Sequence, residues 1–255
     1  MHMPLSHWEG ESVLGLRDQW SVPALEVYEQ LSSTNDRAFE LARSGASSFS
    51  VVVAEEQTHG RGRRGAIWHS VRGGGLWMSL VLPGPRVPLH LPLIIGVSVS
   101  EAIEESCNGV EVGIEWPNDL MVGGKKLGGI LCETVAGHVV AGIGVNTRNL
   151  SEGLPIEIEA RATSLETLTS TRVRHSLLAG FITRALRRRM YRAHGEIDAE
   201  LSKALRSRDT LVDQPIESEE HGRGIARGIA SDGSLIMQQA DGSRIRVVAG
   251  SVRSV

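Results

Sequence analysis

Apolar positions change period along the chain, and the changes predict alternating helices and strands. "SSTNDRAFELARSG" reads as a helix, with Ser33 to Asp36 at capping-box spacing and Gly45 as a left-handed stop. "SVVVAEEQ" (50–57) is rich in β-branched residues and predicts a strand. In "GGGLWMSLVLP" Leu76, Met78, Leu80 and Leu82 alternate, which gives a second strand one apolar face. Residues 89–107 predict a buried helix that starts near Pro88 or Pro92 and ends at Asn108-Gly109. "VEVGIEWPNDLMVGGKKLGGILCE" alternates strand and turn, and its Gly123-Gly124 pair signals a hairpin. "GHVVAGIGVNT" is a further apolar strand. Residues 174–193 predict an amphipathic helix with Leu178, Phe181, Ala185 and Leu186 on its apolar side, and a shorter helix covers 196–207. Residues 1–30 show no strong pattern beyond Trp8 and Trp20.

From Asp209 the character changes to short strands with two Asp-Gly turns, Asp232-Gly233 and Asp241-Gly242. Turns about ten residues apart predict a small β-barrel or meander. The expected organisation is an α/β (α+β) domain over 1–207 and a small β domain over 208–255.

The chain has 255 residues, 41% of them hydrophobic, enough for one large core or a core with a small satellite. Lys and Arg number 27 against 30 Asp and Glu, a net charge of −3, which argues against general nucleic-acid binding. Cys107 and Cys132 stand far apart without metal-type spacing, so neither a disulfide framework nor a cysteine zinc site is expected. The polar start "MHMPLSHWEGESVLG" has no leader-like apolar run, and "LPLIIGVSVSEAI" is too short to span a bilayer. A cytoplasmic protein with no membrane partner is expected.

Against this mildly acidic background "GRGRRG" (60–65) is a concentrated basic device. Its letters match a dinucleotide fingerprint. That fingerprint needs a helix after the loop and an acid about 20 residues on. "AIWHSVRGGG" is not helical in pattern, and no Asp or Glu occurs between Gly65 and Glu101. A Walker A loop fails too, because no Ser or Thr follows Lys125-Lys126. Two readings stay open: a solvated loop, or a lid whose glycine backbone and arginine forks close over an anion. Two further glycine-marked segments, "GGKKLGGIL" and "GIGVN" (142–146), bring cations and an amide, which suits a cleft for a phosphorylated ligand.

"SSTND", "EEQTHGRGRRG", "LWMSL", "WPNDL", "KKLGGILCE" and "GIGVN" occur in an order and spacing that resemble the biotin–protein ligases, within the wider biotin/lipoate ligase superfamily. The resemblance covers roughly residues 25–255. It implies a mixed-sheet catalytic domain of class II synthetase type and a C-terminal SH3-like barrel. It implies activation of biotin by ATP to biotinyl-5′-AMP, then transfer to a lysine of a biotin carboxyl carrier protein, with Mg²⁺ accompanying ATP. Lys126 matches the lysine that bridges the biotin carboxylate and the α-phosphate, and Arg61 and Arg63 match the loop arginines beside it. Ser33, Thr34, Asn35 and Gln57 match the biotin end, with Thr34 and Gln57 as ureido partners. Gly129, Gly142 and Gly144 match backbone close to the ligand. Trp68 and Asn146 match the adenine sandwich, Asn118 and Asp119 the turn beside the nucleotide, and Asp119 a ligand of Mg²⁺.

Taken singly, Ser33 and Thr34 read equally as helix caps, Trp68 as a core residue and Asn118-Asp119 as a turn. The arginine run "RALRRRMYR" (184–192) reads first as a solvated face and second as a landing surface for an acidic carrier. Two positions depart from the family's pattern. Glu115 stands where a basic residue usually precedes "WPND", and Ala66 where one follows "GRGRRG". Only about 25 residues precede the "STND" region, so a helix-turn-helix repressor domain and a DNA partner are not expected. The competing expectations are a lipoate or octanoate ligase and a non-catalytic biotin or nucleotide sensor.

Overall fold

The computed structural model describes residues 3–148, 155–192 and 197–255. The chain opens with two short strands, β1 (His7–Trp8) and β2 (Glu11–Ser12), then α1 (Val13–Trp20), β3 (Leu25–Tyr28), α2 (Thr34–Arg43), β4 (Val51–Ala54) and β5 (Gly75–Pro83). α3 (Leu91–Ser106) leads into β6 (Gly113–Glu115), β7 (Asp119–Val122), β8 (Lys125–Val135) and β9 (His138–Asn146). Two single-turn helices, α4 (Ile156–Glu159) and α5 (Leu165–Thr169), precede α6 (His175–Arg192) and α7 (Ala199–Arg206). The chain ends in β10 (Pro215–Ser218), β11 (Gly222–Ile229), β12 (Leu235–Gln238), β13 (Arg244–Val247) and β14 (Val252–Ser254).

Among the described residues the main sheet has seven strands in the order β3-β4-β5-β9-β8-β7-β6. Only β3 and β4 pair in parallel, so the sheet is mixed. β5 lies centrally and is buried on both faces. Its Leu76, Met78, Leu80 and Leu82 join the large core with α3 and α6, and Val81 faces the smaller cluster under α2 with Val52 and Val140. The alternation read from the sequence therefore marks the larger core. α3 is buried nearly all round, as a helix sandwiched between sheet and α6 must be. At Gly123-Gly124, φ of +57° and +76° make the tight turn that joins β7 to β8.

The tail forms a five-stranded antiparallel sheet, β13-β12-β11-β10-β14. Both Asp-Gly turns are present: Asp232 accepts from the Ser234 amide and Asp241 from the Ser243 amide, each at 2.9 Å. The first turn docks this sheet on the larger α/β unit. Trp116 Nε1 donates to the Gly233 carbonyl at 2.9 Å, and a Cβ on Gly233 would lie 2.7 Å from His90 Cα.

Residues before Tyr28 hold more structure than their pattern suggests. Ser12 caps α1 through Gly15 N–H at 3.0 Å, and Trp8 and Trp20 meet edge-on in the core. α7 begins at Ala199 behind an Asp198 cap; position 196, where the sequence starts this helix, lies outside the described residues. The arginine run on α6 is not one solvated face. Arg189 is buried on Glu101 at 2.6 Å, and Arg184 lies over the Phe181 ring. Among the described residues no helix is long and apolar enough to cross a membrane.

Candidate active site

The N-terminal end of α2 opens onto the middle of the main sheet, and a polar cluster forms there. Thr34 donates to Gln57 Oε1 through its backbone N–H at 2.8 Å and its hydroxyl at 3.1 Å. Gln57 Nε2 donates to Ser70 Oγ at 2.7 Å. Fully buried Ser79, on β5, lies 2.7 Å from Thr34 Oγ1 and 2.6 Å from Asn35 Oδ1. Asn35 Nδ2 donates to Glu133 at 2.7 Å. The capping box is not formed. Ser33 holds the N-cap position without a side-chain bond, and Gln57 satisfies the free helix N–H from outside. Asp36, the other end of that box, is turned to Arg61.

The glycine-arginine loop leaves β4 as an irregular segment with one 3₁₀ turn, Arg63–Gly65, and opens no long helix. Gly60 is required by crowding: a Cβ there would lie 2.3 Å from the Trp68 carbonyl. Arg61 forks onto Asp36 at 2.6 and 3.0 Å, with Glu133 3.8 Å away. The bond to Asp36 holds Arg61 above the usual guanidinium range. Arg63 donates to Asn118 Oδ1 at 3.2 Å and to the Gly250 carbonyl at 3.1 Å. Burial, then the neighbouring Arg64 charge, pulls Arg63 below that range. Arg64, to which the sequence assigns no task, pairs with Glu219 at 2.5 Å and Ser251 at 3.0 Å. It ties the loop to the C-terminal sheet.

Lys126 stands near the start of β8. Its backbone is clamped: its N–H donates to the Arg161 carbonyl at 2.7 Å, and its carbonyl accepts from Thr163 at 2.9 Å. Its ammonium lies 2.6 Å from Asp119 and 5.5 Å from the Trp68 ring centroid. Trp68 rests on the glycines of β8 and β9. A Cβ on Gly144 would be 2.6 Å from the indole and one on Gly129 3.3 Å, while one on Gly142 would be 2.5 Å from Asn35 Oδ1. In this structure those glycines make room for Trp68 and Asn35. The Trp68 Nε1 is buried without a partner.

Glu115 and Asp119 are cross-strand partners on β6 and β7. Burial, then the Asp119 charge, pushes the Glu115 carboxyl up, and Lys126 opposes the shift. The cation that offsets this unusual acid is thus Lys126. Ala66 is exposed on the loop and leaves it one cation shorter.

These groups surround one cleft of about 270 Å³. Lys126, Arg61, Arg63, Ser33, Thr34, Asn35, Gln57, Gly129, Gly142, Gly144, Trp68, Asn118 and Asp119 all line it. Asn146 does not. It is buried two residues beyond Gly144 and donates to the Thr163 carbonyl at 3.2 Å. Sequence reasoning gave no ligand-site role to Asp36, Ser79 and Glu133, which hold the predicted residues in place, or to Ser251 and Val252, which bring the C-terminal sheet to the rim. Asp36, Ser79 and Glu133 all sat within the quoted motifs, and Ser79 was in addition a polar letter on a buried strand. Among the described residues no group of three or more His, Cys, Asp or Glu side chains could hold a metal.

The arrangement brings three cations and a set of neutral donors and acceptors to one cleft, which suits an anionic ligand with a polar ring. Comparison with known proteins agrees. The Biotin/lipoate A/B protein ligase family model matches residues 27–147, and the Biotin protein ligase C terminal domain matches residues 217–253. The chain is 35% identical to the "Bifunctional ligase/repressor BirA" of Bacillus subtilis over 251 residues, covering 92% of this chain and 75% of that one. It is 30% identical to the "Biotin--[acetyl-CoA-carboxylase] ligase" of Mycobacterium tuberculosis, covering 95% of this chain and 92% of that one. The solved "Biotin protein ligase from Aquifex aeolicus in complex with biotin and ATP" superposes with a TM-score of 0.81 at 28% identity, covering 91% of this chain and all of that one. With both sequence segments and the fold in agreement, the chain belongs to the biotin protein ligase family.

Proposed function

We propose that this chain activates biotin with ATP to biotinyl-5′-AMP and transfers the biotinyl group to a lysine of a biotin carboxyl carrier protein. The observation that carries the reading is the convergence of Lys126, Arg61 and Arg63 with the Thr34–Gln57 cluster on one cleft. A carboxylate attacking a phosphate brings two anions together, and fixed cations lower that barrier without reorganising at the moment of reaction. In this reading Lys126 leaves Asp119 and bridges the biotin carboxylate and the α-phosphate. Arg61 holds the carboxylate side and Arg63 the phosphate side. The biotin carboxylate oxygen forms the bond to the α-phosphorus, and the bond to the β-phosphate oxygen breaks as pyrophosphate leaves.

Ser33, Thr34, Asn35 and Gln57 take the ring end. Thr34 spends its hydroxyl proton inside the protein, on Gln57, and accepts one from Ser79, so toward the cleft it has only a lone pair to offer, the complement of a ureido N–H. A dithiolane ring has no such donor, which disfavours a lipoyl substrate. Gly129, Gly142 and Gly144 form the floor, and Trp68, Asn118 and Asn146 the adenine side. For Asn146 this requires Trp68 to lift from Gly144 and open the slot between them. The loop then covers the labile adenylate and excludes water.

Asp119 and Glu115 offer two carboxylates at the nucleotide side, a donor set that suits Mg²⁺, which takes one or two carboxylates and the substrate's phosphates. When bound, Mg²⁺ screens the triphosphate charge. We place the reaction in the cytoplasm, where the free thiols Cys107 and Cys132 stay reduced. The test is mass spectrometry of a carrier domain after incubation with biotin, ATP and this protein. A gain of one biotinyl group at one lysine, lost with Lys126→Ala, is the expected result; no gain at millimolar ATP would overturn the reading.

A further inference from the structure

Two carboxylates stand behind the wall of the active cleft. Asp36, in the first turn of α2, and Glu133, on β8, do not line the cleft, whereas the groups they hold, Arg61 and Asn35, do. Arg61 commits its two terminal nitrogens to Asp36, at 3.0 and 2.6 Å, and the second of them lies 3.8 Å from Glu133. A guanidinium carries five N–H donors in one plane. This end-on fork uses two of them, and among the described residues the Arg61 Nε donates to nothing. Arg61 therefore keeps a second two-donor edge, Nε–H with the outer N–H beside it, which matches another carboxylate.

We propose that Asp36 is a positioning residue for the substrate carboxylate: it stays on Arg61 when the ligand binds and aims the free edge of the guanidinium into the cleft. This rests on the ligase reading given above, in which Arg61 holds the carboxylate side. Asp119 is the contrasting case. It lines the cleft, so a substrate anion reaches its bond to Lys126 directly, whereas Asp36 stands outside and is met only through Arg61.

The effect is preorganisation. Arg61 sits between Gly60 and Gly62 on the loop after β4, and an arginine side chain left unheld there would lose most of its rotamer freedom on meeting a ligand. Asp36 removes that cost before the ligand arrives. Its own place is fixed, because the Thr34 N–H of the same helical turn is held by Gln57, and the positive end of α2 favours an acid there. Asp36 also offsets part of the Arg61 charge. Both side chains are partly exposed, so water already weakens the long-range attraction, and the directed hydrogen bonds carry the recognition. The pair should therefore sharpen the choice of an acid over a neutral ligand of the same shape.

The test is calorimetric titration of the whole chain with biotin and with biotinol, in which a hydroxymethyl group replaces the carboxylate. Asp36→Asn keeps the shape of the side chain and removes its charge. It should weaken biotin at least ten-fold and leave biotinol within about two-fold of wild type. Asp36→Glu, which restores the charge, should recover part of the biotin loss. In pyrophosphate exchange the loss in Asp36→Asn should fall on the KM for biotin, with kcat at saturating biotin within about three-fold of wild type. Equal losses for both ligands would make Asp36 a structural support of the pocket, and tighter biotin binding would make it a competitor for Arg61. Either result, or unchanged affinity for biotin, would overturn the proposal. A wild-type chain that does not bind biotin would instead overturn the ligase reading beneath it.

Discussion

The Lys126 ammonium sits 2.6 Å from the Asp119 carboxylate, on neighbouring strands of one sheet. The pair is half-open to solvent, so it stores little stability, and its meaning is positional. In the mechanism proposed above, Asp119 parks the cation at the nucleotide side of the cleft until two substrate anions compete for it.

Replacing Lys126 by Ala should therefore leave the fold intact and cost adenylate formation. Loss of one preorganised charge partner in a transition state is worth roughly 10²–10³ in rate. Pyrophosphate exchange should fall by about that factor while circular dichroism and the melting temperature stay near wild type. A loss below about ten-fold would mean that Arg61 and Arg63 carry the charge stabilisation without it.

The loop is latched to the C-terminal sheet by Arg64 on Glu219 and Ser251. Both charged side chains are more than half exposed, so breaking the pair should change stability by less than about 1 kcal/mol. The expected effect of Arg64→Ala is on the loop: the KM for ATP rises several-fold and that for biotin stays. A double-mutant cycle with Glu219→Ala should give a single shared effect rather than a product of two.

Gly144 faces the Trp68 indole, and a methyl there would meet it at 2.6 Å. Gly144→Ala should put its methyl into the slot that the adenine enters when Trp68 lifts, and weaken adenylate retention by about ten-fold, seen as faster release of biotinyl-AMP. Gly142→Ala acts at the other end, against Asn35, and should raise the KM for biotin instead. Equal effects of both variants on both ligands would contradict this division of the cleft.

Buried His175 gives a pH dependence of stability. Burial first, then the Arg148 charge, pushes its ring down to about 4, with Glu9 opposing. It faces Thr147 Oγ1 at 2.5 Å, and Glu9 accepts its backbone N–H at 3.1 Å. The ordinary value is 6.5, so below that pH the unfolded chain takes up a proton that the native chain refuses. Stability is fully present above pH 6.5 and falls as pH drops toward 4, by roughly 3 kcal/mol at about 1.4 per unit. Glu9, held low by its hydrogen bonds from Ser176 and His175 despite burial, adds its loss below its ordinary 4.5. Thermal melts from pH 7.5 to 4.5 should show the decline, and His175→Asn should flatten it between pH 6.5 and 5.

Apart from the single-turn α4 and α5, the order of elements from α2 onward was legible in the sequence because each rests on local rules. β5 alternates, α3 is apolar all round, and the paired glycines and Asp-Gly turns allow positive φ where a chain must reverse. The polar motifs were legible as well, since Lys126, Arg61, Arg63 and the Thr34–Gln57 set stand in a family's spacing. The first 30 residues were not. α1 is a short helix whose Val13, Leu16 and Trp20 become a face only once α6 covers them.

What the sequence by itself determined is which residue types stand at which backbone positions, and hence the elements and the family. Tertiary structure alone decided the partners. Asp36 read as a cap and became the fork for Arg61, and Gln57 took over the cap from Ser33. Glycines that line the cleft are also the seats of Trp68 and Asn35, and Arg64 found Glu219 across 155 residues of chain. The physical reason is range. Torsional preference and hydrophobic period act within a few residues, whereas a hydrogen bond or ion pair forms wherever packing delivers its two ends, and packing sums over the whole chain.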